Sequence, residues 1–158
     1  MTRPLTIGDV MTGRLWVIGE DAPLRQARSL MVEHDIHHLP VVQHGRCVGV
    51  LTDRDVKRAL DPDLGLPPED ELFVRDAYVF DVYAVAPGEP LDGVLRTMAE
   101  RHIGSALVVE GGRLVGILTT SDVCRVFADF LQSAPQPVRP PGSGDWRAPW
   151  PGAAAQGV

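Results

Sequence analysis

Residues 23–58 read PLRQARSLMVEHDIHHLPVVQHGRCVGVLTDRDVKR, and residues 90–125 read PLDGVLRTMAERHIGSALVVEGGRLVGILTTSDVCR. The second stretch restates the first without a gap. Pro23 aligns with Pro90, Met31 with Met98 and Asp55 with Asp122, always 67 residues apart. A duplication of this kind decides the architecture before any single residue is read. It predicts two similar halves related by a pseudo-two-fold axis. It also predicts that a site built by one half has a counterpart in the other.

Within each copy the same elements recur. LWVI (15–18) and VYAV (82–85) are short apolar strands. Pro23 and Pro90 stand where a helix begins, a position that suits proline. Leu24, Ala27, Leu30 and Met31 repeat at helical spacing, as do Leu91, Val94, Leu95 and Met98, so each helix has one face to bury. LPVV (39–42) and ALVV (106–109) are continuous apolar runs of strand length. HGR and GGR are tight turns with glycine available for positive φ. CVGVL (47–51) and LVGIL (114–118) return as strands, and a last helix starts at Thr52 or Thr119. The order is β-α-β-β-α twice, an α/β (α+β) fold of two packed repeats.

Working outward, residues 1–14 form a lead-in whose IGDVM (7–11) fits one helical turn. The corresponding VRDAY (74–78) shares only its Asp. We group 1–60 as the first repeat with its lead-in, 61–73 as an acidic, Pro-rich linker, and 74–132 as the second repeat. Residues 133–158 are rich in Pro, Gly and Ala and read as a flexible tail. That tail holds Trp146 and Trp150. WRAPW reads either as incidental composition or as a segment that docks on a groove.

The chain has 158 residues, 44% hydrophobic and 23% charged, with a net charge of −6. This is the ordinary globular mix. The acidity disfavours a nucleic-acid surface, which needs clustered Lys and Arg. No long apolar run suggests a signal peptide or a membrane span. Cys47 and Cys124 form no CxxC spacing and read as small core residues in a reducing cytoplasm.

The pattern that carries chemistry is Gly-x-x-Thr-x-x-Asp, present as Gly49, Thr52, Asp55 and again as Gly116, Thr119, Asp122. It has a structural meaning, a capping box in which Thr and Asp satisfy the orphan donors of a helix N-terminus. It also has a functional one. A helix start offers amides and a positive dipole end to phosphate. A carboxylate one turn in can accept from both hydroxyls of a ribose. The glycine, with Val50 or Ile117 beside it, lets a flat base approach the strand.

This order of elements, with HHLPVV followed by GRCVGVLTDRD and ALVV followed by GRLVGILTTSD, resembles the CBS domain. Two in tandem resemble a CBS pair, or Bateman module, over about residues 7–131. A narrower similarity is to two-repeat bacterial proteins of the acetoin-utilisation regulatory type. The resemblance implies that Asp55 and Asp122 hold ribose, and that Thr52 and Thr119 lie by ribose or phosphate. His37 and His38 stand where related nucleotide-sensing proteins turn His and Arg toward phosphate; Gly104 and Ser105 replace them in the second copy, so unequal sites are expected. The alternative for the pair is two surface or capping histidines. Arg54 and Lys57 are further phosphate candidates, or simply solvated charges.

No metal-ligand spacing is present around His34, His37 and His38, and no nucleophile motif stands out. The expectation is therefore a non-catalytic regulatory module. It would bind an adenine nucleotide (AMP, ADP or ATP first, with S-adenosylmethionine, NAD(H) and cyclic dinucleotides open), form a homodimer, and signal to an unidentified effector protein. The alternative is a ligand-free structural dimerisation module.

Overall fold

The structure, a computed structural model, describes residues 3–133. The expectations for the tail bearing Trp146 and Trp150 fall on residues 134–158, outside that range. The first repeat contains β1 (Ile18–Gly19), α1 (Leu24–His34), β2 (His38–Gln43), β3 (Arg46–Thr52) and α2 (Asp53–Ala59). The second contains β4 (Ala84–Val85), α3 (Leu91–Glu100), β5 (Ser105–Glu110), β6 (Arg113–Thr119) and α4 (Thr120–Ser133). Each repeat has one three-stranded sheet, β1-β2-β3 or β4-β5-β6, with a parallel first pair and an antiparallel hairpin.

The duplication extends to irregularities. Both hairpins carry a bulge, at Val41/Val42 and at Val108/Val109. Both turns place two residues at positive φ, His44 and Gly45 in one and Gly111 and Gly112 in the other. That geometry matches the right-handed twist of the strands. The apolar stripes are buried as the spacing requires, with Leu24, Ala27 and Met31 on α1 and Leu91, Val94 and Met98 on α3. Among the described residues no helix is long and apolar enough to cross a membrane.

The first strand of each repeat is shorter than its apolar letters suggest. Only Ile18–Gly19 and Ala84–Val85 pair with a neighbour. Ahead of β1, Trp16 leaves the sheet and stacks on His34, with ring centroids 3.7 Å apart. At the equivalent place Tyr83 lies under the guanidinium of Arg101, 5.5 Å from the ring centre.

The segments that precede the repeats are exchanged. The lead-in forms a 3₁₀ turn at Ile7–Asp9, and Ile7 is fully buried with Leu91, Val94 and Met98 of the second repeat. Backbone bonds from Ile7 to Glu89, Gly8 to Pro87 and Leu91 to Leu5 hold it there. The matching turn, Val74–Asp76, lies on the first repeat, with Leu72, Val74 and Tyr78 in the core of α1. Each turn is closed by its shared Asp, which accepts from the amide three residues earlier, Thr6 to Asp9 and Phe73 to Asp76, both at 2.8 Å. The sheets then meet through Val50, Leu107 and Ile117, with Leu15, Cys47, Val82 and Leu114 around them. Of the two cysteines only Cys47 is half-buried. Cys124 is exposed, because it falls on the outer face of α4, at the position that Lys57 holds in α2.

Candidate functional site

Both helix starts form the capping box expected. At α2 the carboxylate of Asp55 accepts from the Thr52 amide (2.8 Å) and hydroxyl (2.6 Å), while Thr52 Oγ1 accepts from the Asp55 amide at 3.2 Å. At α4 Asp122 repeats this with the Thr119 amide (2.8 Å) and hydroxyl (2.7 Å). In each case one carboxylate oxygen, Oδ2, does the capping. The other is available for a different partner, and here the two copies part.

Asp55 borders an open cleft of about 510 Å³ between the repeats. His37, His38, Val50, Thr52 and Arg54 border it too. Its remaining walls come from Val79, Asp81, Val82 and Tyr83, from Ile103, Gly104, Ser105 and Leu107, and from Asp53, Thr120 and Ser121. The wall from 79 to 83 was not legible in the sequence, since it belongs to the crossing segment and bears no motif. Asp55 Oδ1 has no hydrogen-bond or ion-pair partner among the described residues.

Asp122, Thr119 and Ile117 border a second cleft of about 190 Å³, with Thr12, Arg14, Leu15, Trp16 and Arg125. Asp122 is only 3% exposed. Its Oδ1 accepts from the Thr12 hydroxyl at 3.1 Å and pairs with Arg125 at 3.2 Å. His37 and His38 border both clefts and so stand between the two acidic residues.

Two expectations need correction. Gly49 and Gly116 were assigned to a base slot, yet neither borders either of these two clefts. A Cβ on Gly49 would run into the Tyr78 ring and sit 2.5 Å from the Val79 carbonyl oxygen; one on Gly116 would run into the Met11 thioether. The missing side chains make room for the crossing segments, which bond to the sheets through Val50–Val79 and Thr12–Ile117. The helix-start amides were assigned to phosphate, yet the Asp53 amide already donates to His37 O at 3.1 Å and that of Thr120 to Gly104 O at 3.0 Å. With the Asp55 amide used by Thr52 as well, two of the first three amides of α2 are already engaged, and an anion at this cleft leans more on side chains than on the helix start.

Those side chains are mixed in sign. The Lys57 ammonium, 2.9 Å away, holds the Asp53 carboxyl below its ordinary value, and His37 adds to this from 3.7 Å. Burial pushes the His38 imidazole below 6.5, against the pull of Asp53 and Asp55. His38 is thus a neutral hydrogen-bonding group at pH 7 rather than a fixed cation.

Two repeats of this kind, each carrying its capping-box Asp at a cleft edge, match a family model described as the CBS domain at residues 7–62 and 74–129. The chain belongs to the CBS domain family. Its CBS pair is 25% identical to that of protein MJ0100, solved with 5′-methylthioadenosine and S-adenosyl-L-methionine, at a TM-score of 0.72 over 81% of this chain and 99% of that one. It is 28% identical to a putative acetoin utilization protein from Vibrio cholerae, at a TM-score of 0.72 over 84% and 100% of the two chains. Among curated relatives, a homoserine O-acetyltransferase of Methanococcoides burtonii is 35% identical over 77% of this chain. The chain spans 24% of that enzyme's length, and the same share of an L-aspartate semialdehyde sulfurtransferase from Methanocaldococcus jannaschii. The CBS pair is therefore shared between short proteins and parts of long enzymes, in keeping with a regulatory module.

Proposed function

We propose that this CBS pair binds an adenosine-containing ligand, of the AMP, ADP, ATP or S-adenosylmethionine type, in the cleft beside Asp55 and passes the occupied state to an effector protein. The observation that carries the reading is the Oδ1 of Asp55, without a partner among the described residues, on the wall of a 510 Å³ cleft. That volume lies within the range of small-molecule pockets. One carboxylate oxygen fixes the helix start, and the other is left to accept from a ribose diol. Val50, Val79, Val82, Ile103 and Leu107 supply apolar wall for a purine. His37, His38, Arg54, Thr120 and Ser121 supply the polar end. The adenosine compounds bound by the MJ0100 pair lend support to the nucleoside half of this reading.

Ligand biases whichever arrangement of the repeats it fits better, by its differential affinity for the two. The cleft walls come from both repeats, so closing on a ligand moves one against the other. A homodimer gives such a movement a second copy to act on. Support for the dimer comes from α4, where Phe127, Phe130 and Leu131 are exposed beside an apolar groove of about 280 Å³ floored by Leu91, Leu95 and Leu118. Isologous pairing is the commonest way to cover such a face. Light scattering reads it: Phe130→Asp turns the dimer into a monomer, and a monomeric wild-type protein contradicts the pairing.

Thermal melting with AMP, ADP, ATP and S-adenosylmethionine tests the ligand. At a hundredfold excess over Kd a bound ligand stabilises by about 2.7 kcal/mol, which is about 5–10 °C for a chain of this size. Asp55→Ala removes that shift. No shift with any of the four leaves the dimerising scaffold as the better account.

A further inference from the structure

We infer that Thr12 is a latch that decides the order in which the two clefts fill: the cleft at Asp55 first, and the one at Asp122 only after Thr12 and Arg125 let go. The inference rests on the nucleoside reading above and goes beyond it. The duplication is the control built into the molecule. Every position of the first copy has its partner 67 residues on, so a difference at matched positions isolates a cause. The two acidic residues, their capping threonines and their 2.8 Å cap bonds are the same. What differs is the second carboxylate oxygen.

At Asp122 that oxygen is taken by the Thr12 hydroxyl at 3.1 Å and by Arg125 at 3.2 Å, and the residue is 3% exposed. The position matched to Thr12 is Val79, an isostere with no hydroxyl. The position matched to Arg125 is Arg58, which makes no ion pair with Asp55 among the described residues. A ribose diol that reaches Asp55 therefore meets an open acceptor. One that reaches Asp122 must displace a hydroxyl and a guanidinium that already satisfy it, in a cleft of 190 Å³ rather than 510 Å³. A ligand gains little when it replaces a hydrogen bond of equal quality. Thr12 also exchanges backbone bonds with Ile117 at 2.9 and 3.1 Å, so its hydroxyl is held in place by the crossing segment and is not a wandering side chain. Filling the second cleft thus disturbs the lead-in, and through it the Ile7 contact with α3.

The matched pair supplies a reciprocal test. Thr12→Val makes the second cleft like the first, and Val79→Thr gives the first the hydroxyl of the second. The side chains are equal in size and both positions are exposed, so each variant folds. Thr12→Val melts lower than wild type because it gives up the bond to Asp122, and an unchanged far-UV circular dichroism spectrum is the check on folding. Calorimetric titration uses AMP, and 5′-methylthioadenosine as a probe with a diol and no phosphate. The expected wild-type isotherm has one tight site and a second at least tenfold weaker. Thr12→Val tightens the second site severalfold with both probes, and Val79→Thr weakens the first. Asp55→Ala removes the tight site. Two equal wild-type sites, a tight site lost with Asp122→Ala instead, or a second site unmoved by Thr12→Val overturns the latch while leaving nucleoside binding intact. Failure of both probes to bind wild-type protein overturns the nucleoside reading and the latch with it.

Discussion

Asp55 and Asp122 each serve two masters, and the division falls within a single carboxylate. The inner oxygen closes a helix; the outer one is spare at Asp55 and engaged at Asp122. The glycines of the same motif have a different task, which is to let a crossing segment lie against the sheet. Gly49→Ala drives a methyl into the Tyr78 ring and toward the Val79 carbonyl. Neither yields easily, so the cost is roughly 1–3 kcal/mol of overpacking. Gly116→Ala meets the Met11 thioether, the flexible end of an adaptable side chain, and costs below about 1 kcal/mol. Urea melts of the two variants therefore rank Gly49→Ala as the less stable, and the reverse order contradicts the contact. His38 supplies a pH signature. Burial holds its folded pKa below the ordinary 6.5, so the unfolded chain binds the proton first. The stability due to neutral His38 is complete above pH 6.5 and is lost as pH falls from there toward the folded pKa. Denaturant melts from pH 5 to pH 8 show this slope in the wild type, and His38→Gln flattens it; an unchanged slope contradicts the burial of the ring. The Thr-x-x-Asp caps were legible because their geometry is local. Tyr78 and Met11 were not, because the residue that fills a glycine's space comes from elsewhere in the chain. The difference between Thr12 and Val79 was hidden for a simpler reason: it lies outside the repeated stretch.

The elements themselves were largely written in the sequence. Helical spacing of Leu24, Ala27 and Met31 against Leu91, Val94 and Met98 fixes α1 and α3, and the Gly-bearing turns fix both hairpins. The early strands were over-read. LWVI is apolar enough for a strand, but Trp16 is used against His34 and only Ile18 and Gly19 find a paired neighbour. The exchanged 3₁₀ turns were beyond reach, since each offers a single deeply buried side chain and no periodic pattern to say which core receives it. Ile7 is 0% exposed in the core of the second repeat although the lead-in runs into the first. Ile7→Ala should cost about 2–5 kcal/mol through the cavity it leaves. Hydrogen exchange locates the loss: amides of α3 and β5 lose protection ahead of those of α1 and β2. Equal loss in both repeats, or loss confined to α1, contradicts the exchange.

At the scale of the whole molecule, duplication and exchange together explain why the clefts lie where they do. Each crossing segment leaves one core, runs past the glycine of the facing sheet and lines a cleft on the way. The cleft walls are therefore drawn from both repeats, and neither repeat alone forms the whole cleft. His37 and His38 sit between the clefts and touch both, so under the proposed nucleoside reading a ligand in one cleft meets side chains that also border the other. Unequal sites were expected from Gly104 and Ser105 replacing that histidine pair; the pair borders both clefts, and the difference between them lies at the acidic residues, with Thr12 at one and Val79 at the other. The most direct test of the central proposition is an amide NMR titration of the wild-type protein with AMP, ATP and S-adenosylmethionine. At least one of them should shift the amides of residues 50–55, 79–83 and 103–105 in a saturable way, with residues 12–16 and 119–125 moving only at higher concentration. Saturable shifts confined to other surfaces, or no shift with any of the three, would contradict a nucleoside cleft at Asp55.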